Sequence, residues 1–238
     1  PNASLEQYYS LIGEIYKESL CGMVIVIGGN HDSPAQLDSP DKVLSHLNTR
    51  VVGASDPEKE IIILREKNGR PGLAVGAVPY LRDADLRHFV GGESFTESSE
   101  RLRAGFRRYY VELAEKLRGI AGADVPMVLT GHCCLSKSKV SDEISERARQ
   151  IGNLGEIPFE LLPDADYYAL GHLHLAQAPF EDRPCRYSGS PLPMSFGEAG
   201  QPKSVAVVEF NGRAEVRLEQ VPCFQTLEQI KGTPEAIE

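Results

Sequence analysis

The sequence lacks the features that mark several common classes of protein. Its five cysteines stand at irregular spacings without a C-x-x-C pair, which argues against a disulfide framework and against a zinc-finger site. No apolar run approaches the roughly 18 residues needed to cross a bilayer, and the first residues lack the basic and apolar regions of a signal peptide. We therefore expect reduced thiols and a cytoplasmic location.

The sequence also lacks an excess of positive charge. Its formal net charge of −9 disfavours a protein that coats nucleic acid by bulk electrostatic attraction. It does not exclude an enzyme whose metal ions supply positive charge locally. With 238 residues, 41% of them hydrophobic, and no internal repeat or low-complexity segment, the chain is long enough to bury a substantial core.

The first half of the chain alternates between helical and strand-like patterns. Residues 5–20 carry apolar side chains at helical spacing, namely Leu5, Tyr8 or Tyr9, Ile12, Ile15 or Tyr16, and Leu20. A buried strand follows at 23–27, and further strands are predicted at 50–53, 61–64 and 73–79. Asn68-Gly69 predicts a hairpin turn between the last two strands. A helix followed by an apolar strand is typical of α/β folds.

The second half begins with a long amphipathic helix predicted over 97–119. Its apolar face is formed by Leu102, Phe106, Tyr109 or Tyr110, Leu113 and Leu117. Strands are then predicted in "MVLT" at 127–130 and in "DADYYALGHLHLAQ" at 164–177. From residue 185 onward, "CRYSGS", "SVAVVEF" and "AEVRLEQV" predict antiparallel strands, with Asn211-Gly212 as a second hairpin turn.

Three of the predicted strands end in glycine followed by residues that bind metals or protons. The groups are Asn30-His31-Asp32, His132, and the pair His172 and His174. In layered α/β proteins functional groups collect beyond the carboxyl ends of strands, so we expect these side chains to meet at one edge. If the strand continues through His172 and His174, their rings share one face. A metal centre is the economical explanation.

Each of these patterns also has a purely structural interpretation. Gly-Asn-His-Asp often forms a polar turn after a strand. Gly-His taken alone favours a structural interpretation over a functional one. His-x-His at a strand end favours metal binding, because imidazole is the commonest metal ligand. The three patterns together favour a functional site. His46 and His88 have no such context and are predicted to be surface residues.

These motifs resemble those of the calcineurin-like metallophosphoesterases. The matching stretches are "GGNHD" at 28–32, "TGH" at 130–132 and "GHLH" at 171–174. The longer stretches "GGNHDSPAQL", "PDADYYALGHLHLAQ" and "RYSGSPLPMSFGE" are similar to the SbcD-type DNA nuclease branch of that superfamily. The resemblance implies an α/β fold of mixed β-sheets sandwiched by helices, in four α/β/β/α layers.

The resemblance also implies roles for individual residues. Asn30, His132 and His172 would bind one of two divalent metal ions, expected to be Mn²⁺, and His174 would bind the other. His31 would contact the scissile phosphate and protonate the leaving oxygen, with Asp32 orienting its ring. The activity implied is double-strand exonuclease and single-strand or hairpin endonuclease cleavage in DNA repair and recombination. The implied partners are DNA and an SbcC-type ATPase, with a homodimer inside a heterotetramer.

The sequence departs from the family pattern at its start. The family's first two motifs, Asp-x-His and Gly-Asp-x-x-Asp, do not occur before Asn30. We therefore expect residues 1–222 to be a metallophosphoesterase domain without its N-terminal strands, and residues 223–238 to begin a truncated C-terminal capping domain. Four neutral ligands and no bridging carboxylate predict weak metal binding and little hydrolysis by this chain alone.

DNA contact must come from local basic patches. Lys137 and Lys139, which follow the His132 motif, are the candidates. Four arginines of the long helix, at 101, 103, 107 and 108, are better explained as a solvated helix face. Two alternative functions remain open. The first is a phosphoesterase that acts on small phosphoesters or nucleotides, and the second is an inactive truncated module that only binds a partner or DNA.

Overall fold

A five-stranded mixed sheet contains most of the described strands. The computed structural model describes residues 2–19, 21–87, 91–139, 155–228 and 230. The sheet has the order β3-β4-β5-β6-β7, formed by β3 (Ile61–Arg65), β4 (Pro71–Gly76), β5 (Met127–His132), β6 (Tyr167–Gly171) and β7 (Cys185–Tyr187). β3 is antiparallel to β4, and the other neighbours are parallel. The carboxyl ends of β4 to β7 therefore lie at one edge.

Two smaller sheets accompany it. Parallel strands β1 (Val24–Ile27) and β2 (Thr49–Val52) form one, and antiparallel strands β8 (Ser204–Phe210) and β9 (Ala214–Gln220) form the other. Beyond the end of β4, the backbone N–H of Tyr80 donates to the carbonyl oxygen of Gly28 at 2.8 Å. This hydrogen bond brings the carboxyl end of β1 to the same edge as the end of β4.

The described helices flank these sheets. They are α1 (Asn2–Lys17), α2 (Pro34–Asp38), α3 (Asp41–Leu44), α4 (Asp83–Leu86) and α5 (Phe95–Ala121). α5 begins with a capping box in which Ser94 and Glu97 each bond the other's backbone N–H. Its predicted apolar face is buried in the main core, with Tyr110 rather than Tyr109 fully buried. In α1, Ile12 is buried and Tyr9 and Tyr16 are exposed.

Most of the local predictions agree with the structure. Both hairpin turns are confirmed, since β3 and β4 and also β8 and β9 pair antiparallel around Asn-Gly. The prediction that "CRYSGS" forms an antiparallel strand is confirmed only in part, because β7 pairs parallel to β6 and makes a single antiparallel bridge, between Tyr187 and Gln177. The exposure predicted for His46 is confirmed. Three predictions fall on residues outside the described ranges. They concern Leu20, His88, and residues 229 and 231–238 of the proposed capping segment.

The predicted α/β class is confirmed by this combination of mixed sheets and flanking helices. The main core lies between α5 and the five-stranded sheet. A smaller core around Ile12, Leu44 and Val51 joins α1 and α3 to β2. In the part of the chain that the structure describes, no helix is both long and apolar enough to cross a membrane.

Candidate metal centre

His132 lies where two neighbouring strands of the main sheet, β5 and β6, end. It is the last residue of β5 and pairs in register with Gly171, the last residue of β6. The Nε2 atom of His132 lies 2.8 Å from Oδ1 of Asn30, which follows β1. The structure thus brings together two residues that are 102 positions apart and were predicted as ligands of one metal ion.

Gly29 permits this close approach. A Cβ atom at this position would lie 2.8 Å from Cε1 and 3.1 Å from Nε2 of His132. The first distance is too short for non-bonded atoms and the second is tight, so a larger side chain at Gly29 would displace either the ring or the loop that carries Asn30. The glycine between β1 and Asn30 therefore has a steric role beyond forming a turn.

His172 reaches the same place by an unexpected backbone conformation. Strand β6 ends at Gly171, and His172 has a φ of +92° in the left-handed region. The strand therefore does not continue through His172 and His174, and the condition under which their rings would share one face of a strand is not met. The His132 and His172 rings nevertheless meet edge to face, with centroids 5.2 Å apart. Their proximity agrees with the expectation that the residues following these strands meet at one edge of the sheet.

The environment of His132 reflects the histidines around it. Burial lowers its pKa most, and the positive charges of His172, His31 and His174 lower it further, to about 4. Three other histidines therefore lie close enough to His132 to affect its pKa. At neutral pH His132 is uncharged, which is the form of imidazole that binds a metal ion.

His174 is held by a buried carboxylate that the sequence did not reveal as part of a site. Nδ1 of His174 lies 2.8 Å from Oε1 of Glu198, whose side chain is only 2% exposed. Burial would raise the pKa of Glu198, but hydrogen bonds from Lys203, His174, the Met194 backbone and Ser190 lower it to about 2. Glu198 belongs to the stretch "SFGE", where an acidic residue near a turn looks like an ordinary surface residue.

His31 and Asp32 are exposed beside this group. Oδ2 of Asp32 accepts a hydrogen bond from the backbone N–H of Gly29 at 2.7 Å. Among the contacts of the described residues, no hydrogen bond joins Asp32 to His31. The predicted orientation of His31 by Asp32 therefore stays a prediction, while Asp32 stabilises the loop that presents Asn30.

A cavity of about 30 Å³ adjoins the two central histidines. Tyr80 and Asp83 line it together with His132 and His172, and the Tyr80 and His132 rings lie 6.2 Å apart. Neither Tyr80 nor Asp83 was predicted from the sequence. The signal was present, because Tyr80 directly follows the strand predicted at 73–79, and the carboxyl end of β4 reaches the same edge.

The predicted DNA-binding lysines are both exposed on the loop after β5. The ammonium group of Lys137 lies 5.4 Å from the centroid of the Phe180 ring. The backbone N–H of Lys139 donates to Oε1 of Gln177 at 2.7 Å. On α5, Arg101 pairs with Glu93 and Arg108 donates to the Leu86 carbonyl, which favours a structural role for these two arginines.

The ligand atoms present fit part of a metal centre. The 2.8 Å between Asn30 Oδ1 and His132 Nε2 is close to the spacing of about 3 Å between neighbouring ligands bonded at about 2.1 Å. Within the described ranges, however, no three or more His, Cys, Asp or Glu side chains are arranged to hold a metal ion. The described residues thus bring Asn30 and His132 into contact without completing a set of metal ligands.

Comparison with known proteins gives several relatives of one kind, although no family model matches the chain. The SbcD subunit of the nuclease SbcCD from Escherichia coli K12 is 36% identical over 214 residues, covering 88% of this chain and 52% of the relative. The subunits named alike from Rhodobacter capsulatus and Bacillus subtilis are 32% and 30% identical over 203 and 223 residues. They cover 82% and 89% of this chain and 49% and 55% of those relatives.

The chain therefore spans about half the length of the curated relatives it matches. Each of these matches nevertheless covers more than four fifths of this chain. Over the part of these proteins that it spans, the chain belongs to the SbcD-type nuclease subunits of the metallophosphoesterase superfamily.

Proposed function

We propose that the protein is the SbcD-type subunit of a manganese-dependent SbcCD-type DNA nuclease. It would hydrolyse DNA phosphodiesters, as a double-strand exonuclease and a single-strand or hairpin endonuclease, together with an SbcC-type ATPase in DNA repair and recombination. The observation that carries this proposal is the 36% identity to a nuclease subunit over 88% of the chain. The contact of Asn30 with His132 at the strand ends supports it.

Asn30, His132 and His172 would hold one metal ion, and His174 would hold a second. Divalent ions bound at this edge supply Lewis acidity toward a phosphodiester. Neutral imidazole and amide ligands leave the charge of the ions largely available for the anionic substrate. His132 can take this role because burial and the neighbouring histidines keep it uncharged at neutral pH.

His31 is proposed as the general acid. Its ring is exposed next to the ligand group, where it can reach a bound phosphodiester and protonate the leaving oxygen. Because the described ligand atoms include no bridging carboxylate, we expect the 238-residue chain by itself to bind metal weakly and to cleave little DNA. Strong Mn²⁺-dependent cleavage by this chain alone would contradict that expectation.

The proposal is tested with the full-length protein, with and without an SbcC-type ATPase. Linear duplex DNA and p-nitrophenyl phosphate are compared as substrates in Mn²⁺. We expect DNA cleavage that falls about 100-fold or more in His31→Ala and is unchanged in His46→Ala, since His46 is exposed outside the histidine group. Preferential hydrolysis of p-nitrophenyl phosphate would instead support a small-phosphoester hydrolase, and no hydrolysis of either substrate would support a binding module.

A further inference from the structure

We propose that Glu198 is a positioning residue that sets the ring of His174 for metal binding. The carboxylate would keep the proton of the neutral ring on Nδ1 and leave the lone pair of Nε2 available as the ligand. The metal-binding part of this proposal rests on the proposed function, while the state of the ring can be measured without metal.

A direct hydrogen bond joins the two side chains. Oε1 of Glu198 lies 2.8 Å from Nδ1 of His174. An ionised carboxylate can only accept a hydrogen bond, so Nδ1 must be the nitrogen that carries the proton. Metal-binding histidines commonly donate their second ring N–H to a carboxylate, which fixes both the tautomer and the ring orientation. The pair has the geometry that this arrangement requires.

The carboxylate is itself immobilised on its other oxygen. Oε2 of Glu198 accepts from Nζ of Lys203 at 2.5 Å and from Oγ of Ser190 at 3.0 Å. The backbone N–H of Met194 lies 3.3 Å from the same oxygen. With its hydrogen bonds supplied by four different residues, Glu198 is held in one orientation and can hold the ring of His174 in turn.

The backbone of His174 is held by the same segment. The carbonyl oxygen of His174 accepts from the backbone N–H of Ser190 at 3.0 Å. Gly189 beside it has a φ of +79°, and a Cβ atom there would lie 2.7 Å from that carbonyl oxygen. Gly189, Ser190, Glu198 and Lys203 therefore form a support, here named the His174 brace, that contacts both the ring and the backbone of His174.

The cost of burying Glu198 argues against a purely stabilising role. Its neighbours Met194 and Phe196 are 67% and 61% exposed, while Glu198 is 1% exposed. This reverses the usual partition of apolar and charged residues. A buried ion pair such as Glu198 with Lys203 is often no more stabilising than an apolar pair of similar volume. Orientation of a ligand explains why a carboxylate occupies the position.

The test is a double-mutant cycle in the full-length protein. Glu198→Gln, His174→Ala and the double variant are compared with wild type for Mn²⁺ affinity by titration calorimetry. Glu209→Gln is the matched control, because Glu209 also pairs with a basic residue but is 59% exposed on β8. If the Glu198→Gln variant does not fold, a variant that carries both Glu198→Gln and Lys203→Met takes its place in the cycle. This variant removes both charges of the buried ion pair.

We expect Glu198→Gln to weaken Mn²⁺ binding about 10- to 100-fold when His174 is present and to have no further effect in His174→Ala. An equal loss in both backgrounds, or no loss in either, would overturn the proposal. The second measurement is the ¹⁵N spectrum of His174 in metal-free protein. It should show one tautomer, protonated on Nδ1, in wild type and a mixture in Glu198→Gln.

The two measurements separate the two proposals. If the wild-type protein binds no Mn²⁺, the proposed function fails, and the ¹⁵N spectrum alone decides whether Glu198 controls the ring. If His174 in wild type is protonated on Nε2, the positioning role is refuted whatever the metal affinity.

Discussion

Glu60 provides a pH-dependent test of the fold. It precedes β3, is fully buried, and accepts hydrogen bonds through Oε1 from the hydroxyl group of Tyr109 and the backbone N–H of Asp56. Oε2 has no hydrogen-bond partner among the described residues. Burial is the main cause that raises the pKa of Glu60 from 4.5 to about 7, opposed by these two hydrogen bonds and assisted by the charges of Asp56 and Asp85.

The sign and size of the effect follow from linkage. Between pH 4.5 and 7 the carboxyl group of Glu60 is ionised in the unfolded chain and still protonated in the folded protein. Its contribution to stability is therefore fully present below pH 4.5 and is lost as the pH rises to 7. At about 1.4 kcal/mol for each pKa unit, the total loss is about 3 kcal/mol.

Glu60→Gln should remove this loss, because glutamine keeps the shape and the acceptor oxygen of the protonated acid without a titrating group. We expect the unfolding free energy of the variant, measured by urea denaturation, to gain about 3 kcal/mol relative to wild type between about pH 4.5 and pH 8. Using the difference between the two proteins cancels the titration of all other groups.

The matched control is Glu58→Gln, an exposed glutamate of the same turn, whose stability curve should run parallel to that of wild type. A difference between Glu60→Gln and wild type that stays constant over the same pH range would refute the reasoning. It would mean that Glu60 ionises alike in the folded and unfolded states.

Three further predictions concern helix packing, the metal centre and DNA. Gly105→Ala places a Cβ atom 2.2 Å from the carbonyl oxygen that ends α4 and should destabilise by about 2–3 kcal/mol in urea denaturation. Gly119→Ala in the same helix meets nothing within 4 Å and should stabilise by about 0.5–1 kcal/mol. Gly29→Ala should weaken Mn²⁺ binding of the full-length protein at least about tenfold in calorimetry, without a comparable loss of stability. Lys137→Ala and Lys139→Ala should each reduce the salt dependence of DNA binding by about one phosphate contact. The control is Lys67→Ala in the β3–β4 turn, which should leave the salt dependence unchanged.

The sequence predicted those parts of the fold that short-range patterns determine. The spacing of Leu102, Phe106 and Leu113 identified the buried face of α5, and the two Asn-Gly pairs identified both hairpins. In each case, the preference of a few neighbouring residues for one backbone conformation matched the final structure.

Predictions that depended on distant parts of the chain were less successful. The direction of β7 depends on the connection after β6, so a short stretch such as "CRYSGS" does not show whether its partner runs parallel. For His172 the alternation rule assumed that β6 continued beyond Gly171, but the left-handed backbone at His172 ends the strand. The rule that ligands collect at strand ends still predicted the meeting of His132 with Asn30, because it depends on topology alone.

Glu198 shows why a supporting residue is harder to predict than a ligand. Histidines after a strand suggest metal binding from sequence, since few other roles require that residue type at that position. A glutamate that follows exposed apolar residues has no such signal. Its proposed role depends on contacts with His174, 24 positions before it, and Lys203, five positions after it. Sequence alone can therefore propose candidate ligand side chains, while the buried groups that contact them are found only in the folded structure.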